Sequence, residues 1–207
     1  MYATSVEELI AGPVLEATGG IGTRFHGMGR EDIDARMLGD GRPFVLEVLG
    51  PRIRTVDVLA LERAVNETAR ERVEILHFAR AEPLEVLRVK EAAPEKSYRV
   101  GVLGTVSPEK VNEALALVVG RAIAQRTPTR VAHRRSDRVR HRRIVAARLL
   151  ERAPERFTLE LRTEAGTYVK EWVEGDAGRT EPNLAALVGI PLKVEFLDVL
   201  QIHDTPR

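Results

Sequence analysis

Acidic and basic side chains crowd into one short stretch of this chain, Gly27-Met28-Gly29-Arg30-Glu31-Asp32-Ile33-Asp34-Ala35-Arg36-Met37-Leu38-Gly39-Asp40-Gly41-Arg42-Pro43. Glu31, Asp32 and Asp34 stand between Arg30 and Arg36, and Gly27, Gly29, Gly39 and Gly41 flank them. A carboxylate among arginines stays charged, because an opposite charge a few ångströms away favours the ionised form. Glycines let backbone approach another chain or a ligand closely and take φ > 0. These residue types suit carboxylate chemistry beside a bound partner. They suit a glycine-rich surface loop with solvated charges equally well, and the rest of the chain has to decide.

Composition excludes most other chemistries. With no cysteine there is no disulfide, no thiol nucleophile and no cysteine metal site. His26, His77, His133, His141 and His203 form no HxH or HxxxH pair, so no metal is expected. There is no P-loop, no GxGxxG opening a helix after a strand, no GxSxG elbow and no HExxH. The glycines of the opening stretch lead into carboxylates, not into the lysine and helix start that would cradle phosphate. Aromatics are 4% of residues, too few for the paired stacking surface of an RRM sheet. At 207 residues the chain can hold one large domain or two small lobes. No segment approaches the ~18 consecutive apolar residues of a membrane span, and the acidic N-terminus lacks a signal-peptide run. No membrane and a cytoplasmic location are therefore expected.

The formal net charge of +1 conceals a block of cations. Arg126, Arg130, Arg134, Arg135, Arg138, Arg140, Arg142 and Arg143 stand with two histidines and a single acid, Asp137. Arginine suits bidentate phosphate contacts and stacking, and a local block of this kind points to nucleic acid.

The elements that must position these residues read as an irregular mixture. Helices are expected over 5–16, with Ser5 as cap, and over 55–72, where Val58, Leu61, Val65 and Ala69 keep helical spacing. Residues 18–29 read as loop. Strands are expected over 44–49, 73–79, 84–90 and 97–105. Ser107-Pro108 starts a helix that runs to about residue 125. Further strands are expected over 144–150, 157–161 and 193–202, and helices over 168–173 and 183–188. Residues 175–180 form a second glycine-and-charge loop. This order favours α+β with a mostly antiparallel sheet over a doubly wound one.

Three segments together carry a resemblance: Gly29-Arg30-Glu31-Asp32-Ile33-Asp34-Ala35-Arg36, Lys96-Ser97-Tyr98 and Gly166-Thr167-Tyr168-Val169-Lys170-Glu171-Trp172. Their order and spacing resemble the pseudouridine synthases. The match is best to the archaeal and eukaryotic tRNA pseudouridine synthases that modify T-loop uridines, the Pus-ten family. It extends from about residue 5 to 204 and includes Gly41-Arg42-Pro43-Phe44 and the run that starts at Thr127-Pro128.

The resemblance implies a pseudouridine synthase fold with a central, mostly antiparallel sheet, flanking helices and an active-site cleft. The domain would span residues 1–207, as one body or as lobes of about 1–106 and 107–207. Asp32 would be the nucleophile, with Asp34 as fallback and Glu31 as a further alternative. Tyr98 would pack on the target uracil, Tyr168 would touch the nucleotide, and Lys170 would be the cation paired with the nucleophile, with Arg30 as a second. Arg130, Arg134, Arg135, Arg138, Arg140, Arg142 and Arg143 would hold RNA phosphates. The partner would be the T-arm of tRNA, modified at position 54, 55 or both, without metal or cofactor. Family members usually carry a further N-terminal RNA-binding domain. This chain is therefore expected to be a fragment, a short form, or one partner of a separate RNA-binding subunit. The family's His-Gly-Asp-Phe-Gly-Arg loop reads Glu174-Gly175-Asp176-Ala177-Gly178-Arg179 here.

The implied reaction breaks the uridine N1–C1′ bond, turns the base and rejoins it through C5. It needs a charged aspartate steadied by a fixed cation, an aromatic surface for the loose uracil, and an acceptor for the C5 proton, either Tyr98 or water. The target base has to leave its stack. A non-catalytic RNA-binding module of the same fold, or an interaction domain with an acidic partner, are the rivals.

Overall fold

The structure is a computed structural model that describes residues 4–204. In chain order the elements are α1 (Val6–Thr18), β1 (Gly22–Gly27), β2 (Arg36–Met37), β3 (Phe44–Leu49), α2 (Val58–Thr68), α3 (Pro83–Glu91), β4 (Glu95–Leu103) and α4 (Pro108–Val118). They continue with β5 (Ala122–Arg126), β6 (Val139–Ala153), β7 (Arg156–Thr163), α5 (Val169–Glu174), β8 (Thr180–Glu181), α6 (Leu184–Val188) and β9 (Lys193–His203). Short 3-10 turns lie at Thr129–Arg134 and Asp176–Gly178. Two compact units result, Met1–Arg30 with Pro43–Ala92, and Glu31–Arg42 with Ala93–Arg207. After contributing Glu31–Arg42, the chain enters the second unit again at Ala93, and β4 is an inner strand of that unit's sheet, between β9 and β7.

In the first unit, Ser5 and Glu8 close a capping box on α1. The Ser5 hydroxyl accepts from the Glu8 N–H at 3.2 Å, and the Ser5 N–H donates to the Glu8 carboxylate at 2.6 Å. The expected loop over 18–29 contains β1, which pairs antiparallel with β3 from Gly22–Leu49 to Gly27–Phe44. Ile10, Val14, Val65 and Ile75 form the core, covered by Phe25, Phe44, Leu46 and Val48. Two further expectations fail. Residues 73–79 form no strand, since α2 side chains satisfy their backbone: Asn66 accepts from the Ile75 N–H at 2.7 Å and donates to its carbonyl at 2.8 Å. Residues 84–90 lie in the helix α3, opened by Pro83 at its first turn, with Val89 as its buried residue.

The second unit is built on a seven-stranded sheet in the order β2-β9-β4-β7-β6-β5-β8. Every pair is antiparallel except β2 with β9. Val100, Leu159, Leu161, Ile123, Ile144 and Trp172 are buried. α4 packs against β6 and α6, and α5 against β9 and α6. This is the expected α+β architecture of a mostly antiparallel sheet flanked by helices. The helix expected to reach residue 125 stops at Val118. There Val119 takes ψ 129° and Gly120, at φ +76°, turns the chain into β5. β6 starts at Val139, not 144, so the second half of the arginine block is strand.

Candidate active site

The segment Glu31–Arg42 is pinned to the sheet of its own unit at both ends. At one end β2 lies parallel to β9, and the Arg36 guanidinium spans the Asp198 carboxylate at 2.7 and 2.9 Å while Arg99 adds a bond at 3.1 Å. Asp198 is buried, which alone would push its carboxyl up. The bonds from Arg36 and Arg99 outweigh that and hold it below the usual range. The Leu38 N–H then donates to the Val199 carbonyl at 2.8 Å. Gly39 follows at φ +64°, where an added Cβ would stand 2.1 Å from the Leu200 carbonyl oxygen. At the other end Lys96 bonds Glu31 at 2.6 Å and Arg42 pairs with the same carboxylate. Burial, with the like charge of Arg42, pushes the Lys96 ammonium down to about 8.

Between these anchors the carboxylates meet two cations. Arg130 donates to Asp32 Oδ1 at 2.5 Å, and Lys170 stands 3.9 Å from Asp32 Oδ2. Lys170 is bonded to both oxygens of Asp34, at 2.7 and 2.6 Å. That bond holds the Asp34 carboxyl below its usual range against the opposing effect of burial. Arg130 turns its other edge to Glu171, with Nε 2.5 Å from Oε1 and Nη2 3.4 Å from Oε2. Burial works against its charge, but Glu171 and Asp32 together raise the guanidinium. Of the three candidate carboxylates, Glu31 is clamped by two cations with 11% of its side chain exposed. Asp34 has both oxygens taken. Asp32 is oriented through one oxygen, while Lys170 approaches the other no closer than 3.9 Å. That arrangement suits attack by Asp32.

Helical spacing explains why Lys170 reaches these groups. Val169, Trp172 and Val173 of α5 are buried. Gln125, fully buried in β5, fixes the start of that helix: its side-chain amide donates to the Tyr168 carbonyl and accepts from the Tyr168 N–H, each at 2.9 Å. The Tyr168 hydroxyl accepts from Arg135 at 3.1 Å. Tyr98 is buried on β4, opposite Leu161 and Val199, and burial pushes its phenol up to about 12 against the pull of the Arg42 charge. Arg30 ends the first unit with its side chain exposed.

The arginine block is divided by the pleat of β6. Arg140 and Arg142 lie opposite Gln125 and Ile123 and share their face, while His141 and Arg143 point to the other side. Arg140 donates to the Thr127 hydroxyl at 3.1 Å, and Arg142 to the His141 carbonyl at 2.7 Å. Arg143 stands 3.9 Å from Glu164. Arg134, Arg135 and Arg138 are exposed, whereas Arg126 and Arg179 share Asp137. Arg130, expected as a phosphate contact, bonds Asp32 and Glu171. Glu171 and Gln125 carry no signal in the sequence beyond standing in or near the quoted motifs.

Among the described residues no group of three or more His, Asp or Glu could hold a metal ion, and no helix is long and apolar enough to cross a membrane. Curated relatives named tRNA pseudouridine synthase Pus10 match almost the whole chain. That of Methanothermobacter marburgensis is 46% identical over 208 residues, covering 99% of this chain and 51% of the relative. That of Archaeoglobus fulgidus is 47% identical over 203 residues, covering 97% and 56%. The chain thus spans about half the length of these relatives. In fold it is similar to a chain of a crystallised Cbf5-Nop10-Gar1 complex, with a TM-score of 0.58 at 18% identity over 98% of this chain and 46% of that one. The family described as Pus10, C-terminal, matches residues 1–203, and the chain belongs to it.

Proposed function

We propose that this chain is the catalytic part of a tRNA pseudouridine synthase that isomerises uridine in the T-loop, at position 54, 55 or both. The observation that carries the reading is the Asp32 carboxylate, hydrogen-bonded through Oδ1 by Arg130, with Lys170 3.9 Å from Oδ2. The names of the relatives support the same substrate class.

In this reading Asp32 attacks C1′ as the N1–C1′ bond breaks, the freed uracil turns, and the C5–C1′ bond forms as the aspartate leaves. The proton lost from C5 and the one gained at N1 balance, so no cofactor is needed. Lys170 gives up little in serving Asp32. Asp34 is 59% exposed, and exposed pairs of this kind are worth only ~0–1 kcal/mol. Tyr98 packs on the detached base, where an aromatic contact contributes ~1–3 kcal/mol. The C5 proton passes to Tyr98 or to water. Tyr168 and Arg30 complete the nucleotide contacts.

The test uses unmodified tRNA labelled with tritium at uracil C5. Release of label to water with the 207-residue chain is the expected result. Salt-sensitive binding without release would favour the non-catalytic RNA-binding module. The exposed arginines make a separate expectation. Replacing Arg134 and Arg138 together with glutamine should weaken tRNA binding about tenfold at low salt and flatten the log K–log[salt] slope by ~0.7–0.9 per lost phosphate contact. The rate at saturating tRNA should be unchanged. Binding titrations at three salt concentrations check it.

A further inference from the structure

We infer that Arg130 is a positioning residue for Asp32, itself set by the buried Glu171, and not a phosphate contact. The inference rests on Asp32 being the nucleophile. Lys170, the cation that the family pattern pairs with the nucleophile, gives both its short bonds to Asp34 and stays 3.9 Å from Asp32. The short bond to Asp32 comes from Arg130 at 2.5 Å. A guanidinium is a planar fork, so a second carboxylate on another edge fixes the direction of the first contact. Glu171 supplies it, with its side chain 7% exposed. It sits on α5, where Glu171 and its neighbour Trp172 are both buried.

Glu171, Arg130 and Asp32 therefore form one chain of contacts running from a packed helix to the reacting carboxylate. The 3-10 turn Thr129–Arg134 that carries Arg130 is tied down as well. The Thr129 N–H donates to Asp176 at 2.9 Å, and Val131 is buried. A guanidinium held by two carboxylates is poorly placed to bind phosphate, since each anion already satisfies donors that a phosphate would need. With Oδ1 held by Arg130, Oδ2 is the oxygen that attacks, and Lys170, bonded to Asp34 and 3.9 Å from Oδ2, is the nearest second cation.

The test compares Arg130→Gln, Arg130→Lys, Glu171→Gln and the Arg130→Gln/Glu171→Gln double variant in single-turnover assays at saturating tRNA, with tRNA binding measured alongside. Thermal melts establish that each variant is folded. Arg130→Gln should lower the saturated rate about 50-fold with Kd for tRNA within about threefold of wild type. Arg130→Lys, which keeps the charge, should recover to within about fivefold. Glu171→Gln should slow the reaction about tenfold, and the double variant should be no slower than Arg130→Gln alone, because Glu171 acts through Arg130. Should Arg130→Gln fail to fold, Arg130→Lys and Glu171→Gln carry the test with the same split. An unchanged saturated rate with Kd weakened tenfold or more would overturn the inference and make Arg130 a phosphate contact. Independent, multiplicative losses in the double variant would also overturn it. A wild-type chain that forms no pseudouridine overturns the proposed function and this inference with it. A wild-type chain that is active beside a fully active Arg130→Gln overturns this inference alone.

Discussion

Asp32→Asn is expected to bind tRNA within about threefold of wild type and to form pseudouridine at least ~10⁴-fold more slowly, the scale on which removal of a nucleophile shows. The amide matches the carboxylate in size and leaves Arg130 with Glu171 and Lys170 with Asp34, so the surrounding pairs survive. What is lost is the charge and the attacking lone pair. Asp34→Asn provides the contrast. Its carboxylate is more exposed and spends both oxygens on Lys170, so the loss should stay within about tenfold. Single-turnover rates at saturating tRNA check both, and a larger loss in Asp34→Asn than in Asp32→Asn would move the nucleophile to Asp34.

Gly39→Val should be the most damaging change outside the carboxylates. Left-handed φ costs a side-chain-bearing residue roughly 1–2 kcal/mol. Overpacking adds typically 1–3 kcal/mol, here because the new Cβ would meet the Leu200 carbonyl oxygen at 2.1 Å. Together they amount to about 4 kcal/mol against the docked form of Glu31–Arg42, or ~10³ in that equilibrium. The segment would lose the Leu38–Val199 bond and the Arg36–Asp198 fork with it, and Asp32 would no longer be aimed. The expected outcome is a fall of about 10³-fold in the saturated rate, with the thermal transition lowered only modestly because the inner strands β4 and β7 do not depend on the segment. A full rate in Gly39→Val would mean that the anchoring of the segment does not position the chemistry.

Local signals explain what the sequence shows of this fold. The Ser5–Glu8 box, Pro108 after Ser107, Asn183 before α6 and the alternation of Phe157, Leu159 and Leu161 each declare an element through capping or period. Residues 84–90 mislead because Leu84, Val86 and Val89 fit either period over so short a run, and Pro83 was the informative residue. The helix expected past Val118 fails because Ala122 and Ile123 continue an apolar face across Gly120, which in fact reverses the chain. Residues 73–79 look like strand by alternation, yet their hydrogen bonds go to Asn66 and Glu62, partners that only the fold brings near.

The same division holds for the site. Asp32, Tyr98 and Lys170 were visible as members of motifs. Lys170 does come within reach of Asp32, while Tyr98 is a buried strand residue beside the charge of Arg42. Composition groups Arg130 with seven other arginines, and charge alone does not distinguish a phosphate contact from the carboxylate partner that its bonds to Asp32 and Glu171 make it in the fold. Glu171 and Gln125 act through burial and geometry across 41 and 43 residues of sequence, a separation that no local pattern records.

One measurement bears most directly on the central claim. Unmodified tRNA is incubated with the 207-residue chain, treated with carbodiimide, and mapped by primer extension. The expected result is a new stop in the T-loop, at position 54, 55 or both, that is absent when Asp32→Asn replaces the wild-type chain. No pseudouridine anywhere in the tRNA with the wild-type chain, or an undiminished T-loop stop with Asp32→Asn, would contradict it.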